Sequence, residues 1–239
     1  SKKKKAYKPT HIEFSTKDHY PLYANLYLPE DLPKDKKAPL VLMIHEIAQN
    51  KEVWDPYAKD LRKKGYAVAT IDLRGHGESI WDGHHKKTVW RNFKDDDWKH
   101  MDSDVNDFIH ELKNNYPQAN TKKMIFVGSS MGTCISILSA AKFKENIKGL
   151  ILLSPYTNFK CLEARIPLVN VGEKPLLMIV SKTDKASYNA LQELTKYAQG
   201  QYEVALLKIS SHGTDMLIFF LFLKDFLYNW IEKKLPPTL

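Results

Sequence analysis

The chain has 239 residues, 43% of them hydrophobic and 27% charged, with a formal net charge of +8. This is ordinary globular composition at a length common for one α/β domain, with enough apolar material for a core, so function need not depend on a partner's surface. Lys2, Lys3, Lys4 and Lys5 concentrate the positive charge at one end, and no stretch interleaves basic residues with aromatics, which argues against a nucleic-acid partner.

Residues 1–9 read as a basic, flexible tail. A lysine run of this kind is usually a solvated segment; its functional alternative is a peripheral tether to an anionic membrane surface. Ile12 to Phe14 and Leu22 to Leu28 read as two opening strands joined by a turn around Asp18, and Glu30 to Lys37 as a loop. Pro39 to Ile44 is a continuous apolar run, the pattern of a strand covered on both faces. Trp54, Tyr57, Ala58 and Leu61 then recur at helical spacing, with Gly65 placed as the stop. Tyr66 to Ile71 is the next strand, ending at Asp72. Trp98, Met101, Val105, Phe108, Ile109 and Leu112 form one apolar helical face.

Strand Met124 to Val127 leads through a tight turn into a helix from Met131 to Ala141. Strands Leu150 to Leu153, Leu176 to Val180 and Val204 to Ile209 follow, with a helix carrying Leu191, Leu194 and Tyr197 between the last two. An apolar helix from about Asp215 to Lys233 closes the chain. Its most apolar run, Met216 to Leu223, is far short of the roughly 20 residues that a membrane span needs. Alternating strand and helix patterns predict a mostly parallel sheet of about eight strands flanked by helices, in one domain over residues 10–239.

Gly128-Ser129-Ser130-Met131-Gly132 matches G-x-S-x-G between a predicted strand and a predicted helix. In that setting the chain turns so sharply that the serine hydroxyl projects from the sheet edge. The Met131 N–H then stands at a helix N-terminus, aimed where an oxyanion would form. A serine hydroxyl needs a base to take its proton. Of the nine histidines only His212 follows Ser130, and Asp184 is the only aspartate between them. Both lie just past predicted strands, where catalytic groups of open parallel sheets gather. Ser130 is therefore the expected nucleophile, His212 the general base and Asp184 the residue that orients it.

These residues carry a family resemblance. From about His11 to Leu235 the chain resembles an α/β hydrolase: besides GSSMG it has the loop Asp72-Leu73-Arg74-Gly75-His76-Gly77-Glu78-Ser79, VSKTD at the acid position and SHGT at the histidine. Where many members have His-Gly, it has His45-Glu46-Ile47, similar to the dienelactone-hydrolase-like branch, in which the nucleophile is usually cysteine. By that analogy the Ile47 N–H is the second oxyanion donor beside Met131, and His45 steadies the loop. Glu46 is a candidate buried carboxylate, expected to pair with Arg74 rather than to react. Only nineteen residues, Tyr156 to Lys174, are available where a lid is usually inserted, so no large cap is expected.

The resemblance implies a carboxylesterase acting on small or soluble acyl esters through an acyl-enzyme, with no cofactor. The alternatives are a thioesterase, a lysophospholipase, a hydroxycinnamoyl esterase or a small peptidase on the same residues, or a non-catalytic receptor-like member. His84 and His85 with Asp95, Asp96 and Asp97 lack the spacing of a metal site. Trp54, Trp81 and Trp90 either edge the pocket or pack in the core. Cys134 is expected as a buried, reduced thiol. Ser1 followed by lysines is similar to the stretch after the lipid-bearing cysteine of a bacterial lipoprotein, and a trimmed N-terminus reads the same, so exported and cytoplasmic locations both stay open. The sequence does not speak to oligomeric state.

Overall fold

The computed structural model describes residues 2–237. Ser1, on which the lipoprotein-like reading rests, lies outside them, as do the last two residues. Strands β1 (Thr10–Ser15), β2 (Pro21–Tyr27), β3 (Ala38–Ile44), β4 (Ala67–Asp72), β5 (Ala119–Ser129), β6 (Ile147–Leu153), β9 (Leu176–Ser181) and β10 (Tyr202–Leu207) form one eight-stranded sheet. A separate two-stranded hairpin, β7 (Asn158–Phe159) and β8 (Leu162–Glu163), lies in the connection after β6. The order is β1-β2-β4-β3-β5-β6-β9-β10; β1–β2 and β2–β4 are antiparallel and every other pair is parallel.

The period of two along each strand divides the core. Leu40, Leu42 and Ile44 of β3 face one layer, with helices α3 (Met101–Asn115), α4 (Met131–Lys142) and α6 (Lys185–Leu194). Val41 and Met43 face the other, with helix α1 (Asp55–Lys63) and the C-terminal helices. Burial on both faces explains why β3 is apolar throughout.

Three departures from the sequence reading have local causes. The apolar face from Trp98 to Leu112 is split at His100 into α2 (Asp95–Lys99) and α3, and the three aspartates fill the first turn of α2, where a helix favours negative charge. The C-terminal helix is likewise two, α7 (Asp215–Phe219) and α8 (Leu221–Lys234), broken at Phe220 with φ −117° and ψ 87°. The third is α5 (Arg165–Val171), a single short helix with Pro167 near its start, whose Leu168 and Val171 pack into the core. With the β7–β8 hairpin it occupies the connection after β6, so there is no large cap.

Strand ends also differ, β6 beginning at Ile147 and β1 spanning Thr10–Ser15. β5 begins five residues earlier than its apolar run, in the polar stretch Ala119 to Lys123. β10 ends at Leu207, and the Ile209 carbonyl instead accepts a hydrogen bond from Ser181 Oγ at 2.7 Å. Among the described residues no helix is long and apolar enough to cross a membrane.

Candidate active site

The carboxyl ends of β5, β9 and β10 bring three distant side chains together. The His212 ring reaches Ser130 Oγ through Nε2 at 2.9 Å and Asp184 Oδ2 through Nδ1 at 2.5 Å. A carboxylate can only accept, so Nδ1 carries the proton and Nε2 presents its lone pair to the serine hydroxyl. Asp184 is also the N-cap of α6: its other oxygen accepts from the Ser187 N–H at 3.5 Å. One carboxylate thus starts a helix and orients an imidazole.

Ser130 sits in a sharp turn at φ 55°, ψ −117°, a region that side chains other than glycine rarely occupy. Its N–H donates to the Leu153 carbonyl at 2.8 Å, and its carbonyl accepts from Thr133 Oγ1 at 2.6 Å. Gly132 lets the elbow close: a Cβ there would overlap the backbone oxygen of Ile44. Met131, the first residue of α4, holds one of the amides that a helix leaves without an intrahelical acceptor.

The β3–α1 loop faces this turn. His45 is fully buried, its Nε2 accepting from the Leu73 N–H at 3.0 Å and its Nδ1 donating to the Glu46 carbonyl at 2.7 Å. Both nitrogens are committed, and the ring braces the loop on which Ile47 lies. Burial is the main cause of its low pKa, about 3, and of that of the neighbouring His76, about 4. Both rings are therefore neutral in the folded protein at ordinary pH.

A stability prediction follows from that difference. An unfolded histidine takes up a proton near pH 6.5, but folded His76 does so only near pH 4. Between those values the unfolded state binds more protons, so the contribution is complete above about pH 6.5 and is lost as pH falls towards 4. Wild type should lose stability relative to His76→Gln across this window by about 1.4 kcal/mol per pH unit, read from urea unfolding of both proteins. A difference that does not vary with pH would refute it.

Glu46 does not pair with Arg74. Its Oε2 accepts from Ser129 Oγ at 3.0 Å and its Oε1 from Thr214 Oγ1 at 2.9 Å. Arg74 instead grips Asp104 of α3 through Nε and Nη2, at 2.8 and 2.7 Å, and Asp18 through Nη1 and Nη2, both at 2.9 Å. Its guanidinium also lies over the Tyr20 ring. The reason is strand order: β4 lies between β3 and β2, and Arg74 turns outward to the β1–β2 turn. It supports the Asp72–Ser79 loop, not the carboxylate.

Glu46 consequently ties three loops together: its own, the elbow at Ser129 and the turn after His212. Gly213 stands against it at φ 61°, where an added Cβ would overlap Glu46 Oε2, and the Gly213 N–H donates to Ser154 Oγ at 2.8 Å. Ser129 and Thr214 lie within the GSSMG and SHGT motifs, but their hydroxyls gave no sign in the sequence of a shared partner. Tyr156 was not anticipated either. Its ring lies edge-on to His212, centroids 6.2 Å apart, and burial first, then the Asp184 charge, raises its phenol pKa. Trp54 is wholly core, Trp90 stacks on His76 and Trp81 is exposed. The Cys134 thiol is buried, and burial pushes its pKa up to about 12.

The mostly parallel sheet and the strand-turn-helix at Ser130 define an α/β hydrolase. Within that class, the chain belongs to the family described as serine aminopeptidase, S33, whose model matches residues 35–183. A 2-(acetamidomethylene)succinate hydrolase of Mesorhizobium japonicum is 25% identical over 138 residues, covering 57% of this chain and 43% of that protein. A monoglyceride lipase homolog of Monkeypox virus is 28% identical over 149 residues, covering 62% and 48%. The chain thus matches less than half the length of these curated relatives. Among solved structures, a Pyrococcus furiosus esterase superposes with TM-score 0.74 at 17% identity, covering 96% of this chain and 92% of that one. A dienelactone hydrolase from Anabaena variabilis gives TM-score 0.72 at 17% identity, covering 96% and 100%. These likenesses concern the fold.

Proposed function

We propose that this α/β hydrolase cleaves carboxylic esters of small or soluble acyl groups through an acyl-enzyme on Ser130. The observation that carries the reading is the unbroken contact series from Ser130 Oγ to His212 to Asp184. His212 takes the serine proton as Oγ attacks the acyl carbon, and Asp184 stabilises the imidazolium that forms. The Met131 and Ile47 N–H groups receive the oxyanion. His212 then returns the proton to the leaving alcohol, and water repeats the cycle to release the acid. The absence of a large cap favours small acyl groups.

A peptidase is the second reading, favoured by the description of the matching family. The two differ in leaving group, so paired assays separate them. p-Nitrophenyl acetate and butyrate should turn over while aminoacyl p-nitroanilides are left uncleaved; the anilides decide, because an activated ester acylates a serine peptidase as well. Anilide cleavage would overturn the esterase reading.

Gly213 offers a test of how the site is held. Alanine at φ 61° costs about 1–2 kcal/mol in backbone strain, and its Cβ would push the His212 turn away from Glu46. Gly213→Ala should lower kcat by about 100-fold, the scale expected of a displacement near 1 Å. Shortening the opposing side chain, in Glu46→Ala,Gly213→Ala, should recover part of that loss. An unaltered kcat in Gly213→Ala would mean that Glu46 does not set the position of His212.

A further inference from the structure

The break at Phe220 leaves an apolar corner on the outside of the molecule. Ile218, Phe219, Leu221 and Phe222 are 58%, 70%, 74% and 65% exposed, and Phe226 continues the row one turn along α8. Isolated exposed apolar residues are common, but a contiguous set marks a contact surface. Met216, Leu217, Leu223 and Leu227 already anchor these helices in the core, so the exposed set is not needed to hold them. The corner begins six residues after His212, at the far end of the short helix that follows its turn.

The N-terminal segment belongs to the same layer. Tyr7 packs on Tyr27 with the Arg62 guanidinium 3.6 Å above its ring, against the core cluster that receives α8. Beyond it Lys2, Lys3, Lys4 and Lys5 are exposed, as is Lys8, with no acid among residues 2–8. Most of the formal net charge of +8 therefore lies in this segment. The corner itself supplies no positive charge: Lys224 is within 3.9 Å of Asp60, and Asp215 and Asp225 are exposed on the same two helices. The cationic contribution comes from the tail and the apolar contribution from the corner.

We propose that the α7–α8 corner and the N-terminal lysines together form a docking surface for an anionic lipid bilayer. An apolar wedge and a polybasic segment are the two complementary signals that hold a peripheral protein on such a surface. Charge argues against a second copy as occupant, because pairing these faces would bring two lysine segments into one neighbourhood. The proposal does not depend on which bond the site cleaves.

Co-sedimentation with vesicles tests it. The protein should bind vesicles of equal parts phosphatidylcholine and phosphatidylglycerol at least about tenfold more tightly than phosphatidylcholine alone, and added salt should weaken that binding. Phe219→Ser,Phe222→Ser should reduce binding about tenfold or more, with melting temperature and turnover of soluble p-nitrophenyl acetate unchanged; Leu221→Ser provides an independent smaller step. Replacing Lys2 to Lys5 by serine should abolish the preference for phosphatidylglycerol. No binding to either vesicle, or binding indifferent to all these substitutions, would overturn the proposal. So would a wild-type dimer in sedimentation velocity that Phe219→Ser,Phe222→Ser converts to monomer.

Discussion

Ser130→Ala should lower kcat on p-nitrophenyl acetate by about 10⁴–10⁶ while leaving the melting temperature at or above that of wild type. The loss should be that large because Ser130 alone occupies the elbow, and removing its hydroxyl leaves His212 with no nucleophile to deprotonate. Stability should hold because the turn is built by the backbone: the Ser130 N–H to the Leu153 carbonyl, and Thr133 Oγ1 to the Ser130 carbonyl. Neither bond uses the side chain that is removed. Steady-state kinetics and a thermal melt on one preparation decide the matter. A folded variant that keeps more than about one-hundredth of the wild-type rate would place the reaction elsewhere.

Asp184→Asn should cost about 10⁴ in kcat, the loss seen when the corresponding change is made in serine proteases. An amide presents one oxygen and one NH2. Asparagine can turn its NH2 to His212 Nδ1, which then accepts, leaving the proton on Nε2 where the serine needs a lone pair. The fold should persist, because the asparagine oxygen can still cap α6 at the Ser187 N–H. Kinetics and circular dichroism check both halves. A near-wild-type rate would remove Asp184 from the mechanism; a melted α6 would show that its main duty is to cap the helix.

How much of this was legible beforehand depended on whether a residue's partner lay close by in sequence or across the sheet. β3, β4, β6 and β9 are buried on both faces, so each stood out as an apolar run. Ser130, Asp184 and His212 could be found because each follows an apolar run that reads as a strand, although β10 is largely exposed, and parallel strands deliver their ends to one edge. The polar start of β5 carried no apolar pattern, and the break at Phe220 falls within an apolar run that gives no sign of it. Glu46 was recognised as a buried carboxylate but assigned the wrong partner. Strand order sends Arg74 towards Asp18 and Asp104, and order is not written in any local pattern. An acid on the buried face of α3, at Asp104 between Met101 and Val105, was the available hint that a cation was needed there.

The most direct test of the central claim is the mass of the protein during turnover. Mixed with p-nitrophenyl acetate and quenched in acid within the first turnovers, wild-type enzyme should carry one acetyl group. Peptide mapping should place that group on Ser130, and Ser130→Ala should carry none. An acetyl group mapped to another residue, or an equal adduct on Ser130→Ala, would contradict an acyl-enzyme on Ser130.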